Sequence, residues 1–375
     1  MTYKAGVIGF GRVGRNHAEA FIESDEIDLA TISDLDETLV AEMGERWGVP
    51  DTNRYCDHAA MLDSEALDVV SVATPDRYHH AHVLDVVESS ADPDVIWCEK
   101  PIATTVSRAD EMVAACEEAG VELVVNHSRR FSSLFETVHE LLHDRTLLGE
   151  VQSVRLFAGA EFLNIGTHYV DLVLYLLDAK VRNVRGGCVE PVASEGATRF
   201  EGGGTLVMDN GVVAYVEPRP TAASRLTVEG TAGTLSLPLS IAADAPHEVR
   251  YRRVDEDGWT SVSPPEPLEE LWQTDISGRH STHESGMVPA QRLFENATEH
   301  IADVLAGRAT NPSPGTRATH GLETLAGMVV SEYADTNVTL PLARPFREIP
   351  LQLDEPLDVT GGAGRRDSRD ESSTR

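Results

Sequence analysis

Short apolar runs alternate with amphipathic stretches through the first third of the chain. Lys4 to Ile8, Asp28 to Ser33, Leu67 to Ala73, Val95 to Cys98 and Val121 to Val125 read as strands. Between them, Arg15 to Ile22, Ala41 to Trp47, Arg77 to Val87 and Asp110 to Ala119 carry apolar residues at helical spacing. Strands alternating with helices at this spacing predict βαβ units and a parallel sheet of the α/β class.

After Val125 the pattern changes. A helix is expected through about Asp144, then a period-two strand from Val151 to Ala158, then a strongly apolar helix from Tyr169 to Leu177. Thr205 to Met208, Val212 to Glu217, Ser224 to Glu229 and Thr234 to Leu237 have strand character. Asp209-Asn210-Gly211 and Gly230 to Gly233 separate them, and the first is a hairpin signal. This predicts an antiparallel sheet and a second unit of α+β character. Residues 242–286 are rich in proline and charge and carry no assigned element. Helices are expected at Pro289 to Ala306 and Thr319 to Tyr333, then an extended Val338-Thr339-Leu340-Pro341. The expected division is residues 1–126, residues 127–345, and a disordered Gly/Arg/Asp/Ser-rich tail over 358–375.

Charge changes the picture more than length does. The 375 residues carry 62 Asp and Glu against 31 Lys and Arg, a net charge of −31. The acid is spread along the chain, and lysine occurs only at Lys4, Lys100 and Lys180. At molar salt the Debye length falls to about 3 Å, so such self-repulsion is screened. The composition therefore reads as adaptation to a salty cytoplasm. It argues against nucleic acid or an anionic membrane as partner, since both need a basic footprint. Cys56, Cys98, Cys116 and Cys188 form no CxxC pair, which implies neither zinc nor a disulfide framework. No apolar run approaches the ~18 residues of a membrane helix, and no cleavable signal pattern opens the chain. A soluble, cytoplasmic protein is the expectation.

Three constellations carry chemistry. Gly9-Phe10-Gly11-Arg12-Val13-Gly14 is G-x-G-x-x-G directly after a strand and before a helix. Gly9 suits the tight turn, Gly11 a close approach to a pyrophosphate, and Gly14 close helix–strand packing. The next strand ends at Asp34, with Asp36 as a nearby substitute. An acid there accepts hydrogen bonds from ribose hydroxyls and repels a 2′-phosphate, which favours NAD over NADP. Then Val95-Ile96-Trp97-Cys98 runs into Glu99-Lys100-Pro101. Pro101 cannot continue a central strand. Glu99 and Lys100 are therefore presented at a carboxyl edge, where open parallel sheets bind ligands. Thr74-Pro75 ends another strand, and His79 after it is expected to line the cofactor groove. His79, His80 and His82 lack a plausible further ligand for a metal. Asn164 and His168 share a face if their helix begins early.

With these landmarks in order, the chain resembles the Gfo/Idh/MocA oxidoreductases over roughly residues 3 to 342. The resemblance rests on the glycine loop, Ala73-Thr74-Pro75 with His79, Glu99-Lys100-Pro101, Arg130-Phe131, Gly166-x-His168-x-x-Asp171, Gly230-Thr231-x-Gly233 and Leu340-Pro341. It implies an N-terminal Rossmann domain and a C-terminal domain whose large open sheet serves oligomerisation, as a dimer or tetramer. It also implies NAD(P)-dependent redox chemistry on a sugar, cyclitol or nucleotide-sugar. Lys100 would polarise the substrate hydroxyl and touch the nicotinamide ribose, and Glu99, Ala73-Thr74-Pro75 and His79 would join residues Gly9 to Gly14 and Asp34 in binding the cofactor. His168 would be the general acid/base, a role suited to imidazole with its ordinary pKa of ~6.5. Asn126, Arg130 and Asn164 would face the substrate.

Two departures stand out. Asn164 occupies the position where the family often has aspartate, and an amide cannot share a proton. The segment between Ala158 and Asn164 is short, which suggests an open mouth and a bulky substrate. Two other readings stay open: an enzyme that retains NAD through a closed redox cycle, and a non-catalytic NAD-binding sensor. The presence of both Lys100 and His168 argues against the sensor.

Overall fold

The computed structural model describes residues 2–157, 160–194, 196–217, 225–239, 249–262 and 288–353. Its first sheet contains β1 (Tyr3–Ile8), β2 (Ile27–Ser33), β3 (Arg54–Tyr55), β4 (Val69–Val72), β5 (Val95–Cys98) and β6 (Glu122–Val125). They lie in the order β3-β2-β1-β4-β5-β6, every neighbouring pair parallel. The connecting helices are α1 (Arg12–Ile22), α2 (Glu37–Trp47), α3 (His58–Ser64), α4 (His79–Glu88) and α5 (Val106–Ala119). The apolar runs are continuous because both faces of the sheet are covered. In β5, Ile96 and Cys98 enter one core while Val95 and Trp97 enter the other.

The predicted helix starts shift by up to a turn. α1 begins at Arg12, straight out of the glycine loop, three residues before the expected Arg15. α2 begins at Glu37 because Asp36 caps it, its side chain accepting from Thr38 and Leu39 N–H. α4 follows a 3₁₀ turn at Asp76–Tyr78. Gly14 has no freedom here: a Cβ on it would lie 2.0 Å from the Gly9 carbonyl oxygen.

Helix α6 (Ser133–Asp144) leads into the second sheet. Its strands are β7 (Val151–Phe157), β8 (Ala160–Glu161), β9 (Val181–Ser194), β10 (Ala197–Met208), β11 (Val213–Val216), β12 (Arg225–Gly230), β13 (Gly233–Pro238), β14 (Arg250–Arg253), β15 (Thr260–Ser261), β16 (Val338–Thr339) and β17 (Gln352–Leu353). The main path runs β15-β14-β13-β12-β7-β11-β10-β9-β16, with β8 and β17 also paired to β10. The sheet is mostly antiparallel, as expected, but β11 pairs β7 in parallel. Asp209-Asn210-Gly211 does turn β10 back into β11. The long hairpin β9–β10 is largely absent from the sequence reading, which has only Thr205 to Met208 of it. Glycines interrupt its apolar pattern for a packing reason. A Cβ on Gly186 would lie 2.2 Å from the Met328 carbonyl oxygen, and one on Gly204 would lie 2.3 Å from that of Arg185. Strands β14 and β15 lie in the stretch 242–286 left unassigned above; residues 242–248 and 263–286, and the tail over 358–375, fall outside the described residues.

Three further long helices, α7 (Thr167–Leu177), α8 (Val288–Leu305) and α9 (Gly315–Ala334), are followed by a single helical turn at Arg344–Arg347. α9 packs on β9, α7 and α5. α8 returns to the first sheet and lies against α1, where Phe294, Ala297 and Ile301 join the core around Trp97. No helix among the described residues is long and apolar enough to cross a membrane.

Replacing Gly14 with alanine drives a methyl into backbone rather than into a movable side chain. We expect Gly14→Ala to lower stability by about 1–3 kcal/mol in urea unfolding and to weaken NADH binding in a fluorescence titration.

Candidate active site

The carboxyl edge of the first sheet opens onto a cleft of about 1410 Å³. The glycine loop, Asp34, Ala73-Thr74-Pro75, His79, Glu99-Lys100-Pro101 and Asn164 all line it. Residues from the second sheet close the far side, among them Arg199 on β10 and Gln352 on β17.

The loop end of the cleft fits a dinucleotide. Gly9 has φ +78°, a conformation that disfavours any side chain, and a Cβ on Gly11 would meet nothing within 4 Å. No side chain caps α1 and no acid lies in its first turn. Its free N–H groups and positive dipole end are thus available to a pyrophosphate. Phe10 contributes backbone only: its ring is buried against Trp47, and its N–H donates to Asp34 Oδ2 at 3.0 Å. Asp34 Oδ1 accepts the Asp36 N–H at 3.1 Å, which fixes the carboxylate at the strand end. Asp36, the substitute for the ribose contact, spends Oδ1 on capping α2. Arg12 is exposed and Val13 half-buried at the cleft wall. His79 is buried between Thr74 and Pro101, its ring nitrogens 2.7 and 2.8 Å from their carbonyl oxygens, and so pins two cleft loops together.

At the other end, Lys100 Nζ donates to both Oδ1 and the backbone oxygen of Asn164, each at 3.1 Å. Asn164 lies in a wide π-type turn, Phe162–Gly166, that runs directly into α7. The helical path therefore begins earlier than the expected Tyr169, and His168 falls in the first turn of α7. Its ring is edge-on to that of His127, with centroids 6.1 Å apart. Burial pushes the Lys100 amine down from its ordinary range, with the Glu99 and Glu161 carboxylates opposing.

Glu99 and Asn126 meet each other rather than open space. Glu99 is 7% exposed, and its Oε1 accepts from His17 Nε2 at 3.0 Å and from Asn126 Nδ2 at 2.5 Å. His17 Nδ1 is 2.9 Å from Ser71 Oγ, and its ring lies tilted against that of Trp97, with centroids 3.7 Å apart. Burial alone would raise the Glu99 carboxyl, but the His17 bond, with Lys100 and Asn126 adjacent, holds it below the usual carboxylate range. Arg130 is also interior. Its guanidinium makes a two-pronged pair with Asp171 at 2.8 Å and donates to the Pro312 carbonyl at 3.1 Å. Asp171 stands 3.6 Å from His127 Nδ1, and burial pushes that imidazole down. Sequence reasoning missed His17, Glu161, Arg199 and Gln352. His17 does carry a local signal, three residues after Gly14 on the helix that leaves the loop.

A glycine loop at a helix start, an acid ending the next strand and a lysine at the carboxyl edge of β5 define a class, the nicotinamide-dependent Rossmann oxidoreductases. Residues 3–127 match the family model described as "Oxidoreductase family, NAD-binding Rossmann fold". The chain is 30% identical over 290 residues to the D-apiose dehydrogenase of Paraburkholderia graminis, covering 71% of this chain and 74% of that one. It is 27% identical to the myo-inositol 2-dehydrogenase of Thermotoga maritima, over 55% of this chain and 68% of that one. In fold it is similar to an Agrobacterium radiobacter oxidoreductase solved in complex with NAD+, L-tartaric acid and magnesium. The TM-score is 0.71 at 21% identity, over 90% of this chain and 98% of that one. The chain belongs to the Gfo/Idh/MocA oxidoreductase family. It is an NAD(P)-dependent oxidoreductase of the sugar or polyol dehydrogenase type.

Removing the Arg130 guanidinium leaves the Asp171 carboxylate buried without its partner. Arg130→Met should cost about 3–5 kcal/mol in equilibrium urea unfolding, while NADH affinity of the folded fraction stays near the wild-type value.

Proposed function

We propose that the protein is a dehydrogenase preferring NAD, acting on a hydroxyl-bearing carbon of a sugar, cyclitol or nucleotide-sugar. In this reading Lys100 polarises the substrate and His168 exchanges its proton. The observation that carries it is the Lys100 ammonium, aimed across the cleft at Asn164 in the same groove as the glycine loop. When bound, nicotinamide supplies the hydride acceptor or donor, and the protein supplies alignment and electrostatics. The α1 N–H groups would face the pyrophosphate, and Asp34 would accept from the ribose hydroxyls and repel a 2′-phosphate. A substrate hydroxyl would take the place of the Asn164 oxygens as acceptor for Lys100, with Asn164 orienting it through its amide. Asparagine cannot relay a proton, so His168 is assigned the acid/base step alone.

The open cleft supports a substituted substrate over a bare monosaccharide. We further assign residues 1–126 to cofactor binding and residues 127–345 to substrate binding and self-association as a dimer or tetramer. The excess of acid over base supports a working environment of high salt.

The test is oxidation of D-apiose, myo-inositol and a panel of sugars, cyclitols and nucleotide-sugars in molar KCl with NAD or NADP, following reduced nicotinamide. We expect turnover with NAD preferred. Lys100→Ala should lower kcat/KM by about 10²–10⁴-fold with NADH binding retained. Asp34→Ser should weaken NAD binding by about 1.5–3 kcal/mol and narrow the preference over NADP. A Lys100→Ala enzyme of wild-type activity would sink this reading. Tightly retained NAD with no net reduction would move it to the closed redox cycle.

A further inference from the structure

Arg199 reaches the cleft from the second sheet, and sequence reading gives it no role. Its side chain is 8% exposed, and all three of its guanidinium nitrogens donate. Nη2 donates to Asp76 Oδ2 at 2.6 Å, Nη1 to Glu161 Oε2 at 3.2 Å, and Nε to Gln352 Oε1 at 2.8 Å. The three acceptors come from three separate segments. Asp76 immediately follows Thr74-Pro75 in the first unit, Glu161 ends β8, and Gln352 sits on β17.

The contacts continue beyond Glu161. Its second oxygen, Oε1, accepts the Leu163 N–H at 2.6 Å and so caps the wide turn that holds Asn164. Asn164 in turn offers both of its oxygens to Lys100. An unbroken run of bonds thus leads from Asp76 through Arg199, Glu161 and the Leu163–Asn164 backbone to the Lys100 ammonium. The charges along it alternate: Asp76, Arg199, Glu161, Lys100. Without Arg199, two carboxylates would remain with nothing between them, and the turn would lose its tie to the loop.

We propose that Arg199 is a positioning residue that couples the Thr74–Asp76 loop to the Glu161–Asn164 turn, so that seating a nicotinamide dinucleotide orders the groups facing Lys100. The inference rests on the cofactor and substrate ends assigned under Proposed function. The planar, rigid guanidinium fork suits the task, because moving Asp76 tilts the same plane that holds Glu161. Such a coupling is reciprocal: a substrate that orders the turn tightens the cofactor loop by the same factor.

The test needs no knowledge of the substrate. NADH binding is measured by fluorescence titration, and hydrogen exchange of the Leu163 and Asn164 amides is followed with and without saturating NADH. In the wild type, NADH should slow exchange at these amides by about fivefold or more, the low end of ordinary coupling factors. Arg199→Met should still bind NADH but show less than about a twofold effect. Asp76→Ala cuts only the first link and leaves Arg199 on Glu161 and Gln352. It should behave like Arg199→Met, and it decides the matter if circular dichroism shows that Arg199→Met has not folded. Slowing that persists in the variants would reflect direct shielding by the dinucleotide and would overturn the coupling. NADH binding to the wild type without any slowing would overturn it too, leaving the cofactor assignment intact. A wild-type protein that binds no NADH would overturn that assignment and this inference together.

Discussion

A buried carboxylate is the constraint on which the site depends. An ionised glutamate in a protein interior is costly unless hydrogen bonds replace its water. Glu99 obtains them from His17 on α1 and Asn126 just past β6, and His17 is itself held by Ser71 on β4. Four elements of the first unit are therefore locked in register at the carboxyl edge of the sheet. The next residue is Lys100. Its ammonium is desolvated by the same burial and stays useful because Glu99 lies beside it. Both residues line the cleft, but the carboxylate is spent on His17 and Asn126 while the amine reaches across to Asn164.

The two sheets are joined by more than the chain that runs between them. Helix α8 comes back from the second half to cover Trp97 and α1, and the Val125 N–H bonds to the Ser313 carbonyl oxygen at 2.9 Å. Arg130, just beyond the end of β6, pairs with Asp171 on α7 and donates to the Pro312 carbonyl. These ties are apolar contact and buried ion pairing, both screened by salt less than surface charge is. On the surface, by contrast, exposed acids are screened by salt and act mainly through hydration.

Much of the site was legible because its signals are local. The glycine loop, the strand ending at Asp34 and the Val95–Cys98 run stopped by Pro101 are each read within a few residues. Their physical causes are equally local: a positive φ, a helix start and a missing backbone donor. Three features were not legible, and each for a definable reason. Strand β9 is broken by Gly186, which packs against Met328 on α9, and β10 by Gly204, which packs against Arg185 on β9. Arg130 reads as a cation free to meet a substrate, and only its distance from Asp171 shows that it is spent. Arg199 sits in a strand whose register no short pattern announces, and its three acceptors are scattered over the chain.

The sequence by itself determined the βαβ order, the loop fitted to a dinucleotide, and the acid and the lysine at two strand ends. Those follow from backbone geometry and composition, which act over a turn or a strand. The tertiary structure alone decided which charged groups face the cleft and which are neutralised within the protein. Pairing across 41, 82 and 123 residues depends on how distant segments of the chain are brought together, and burial then makes each pairing obligatory.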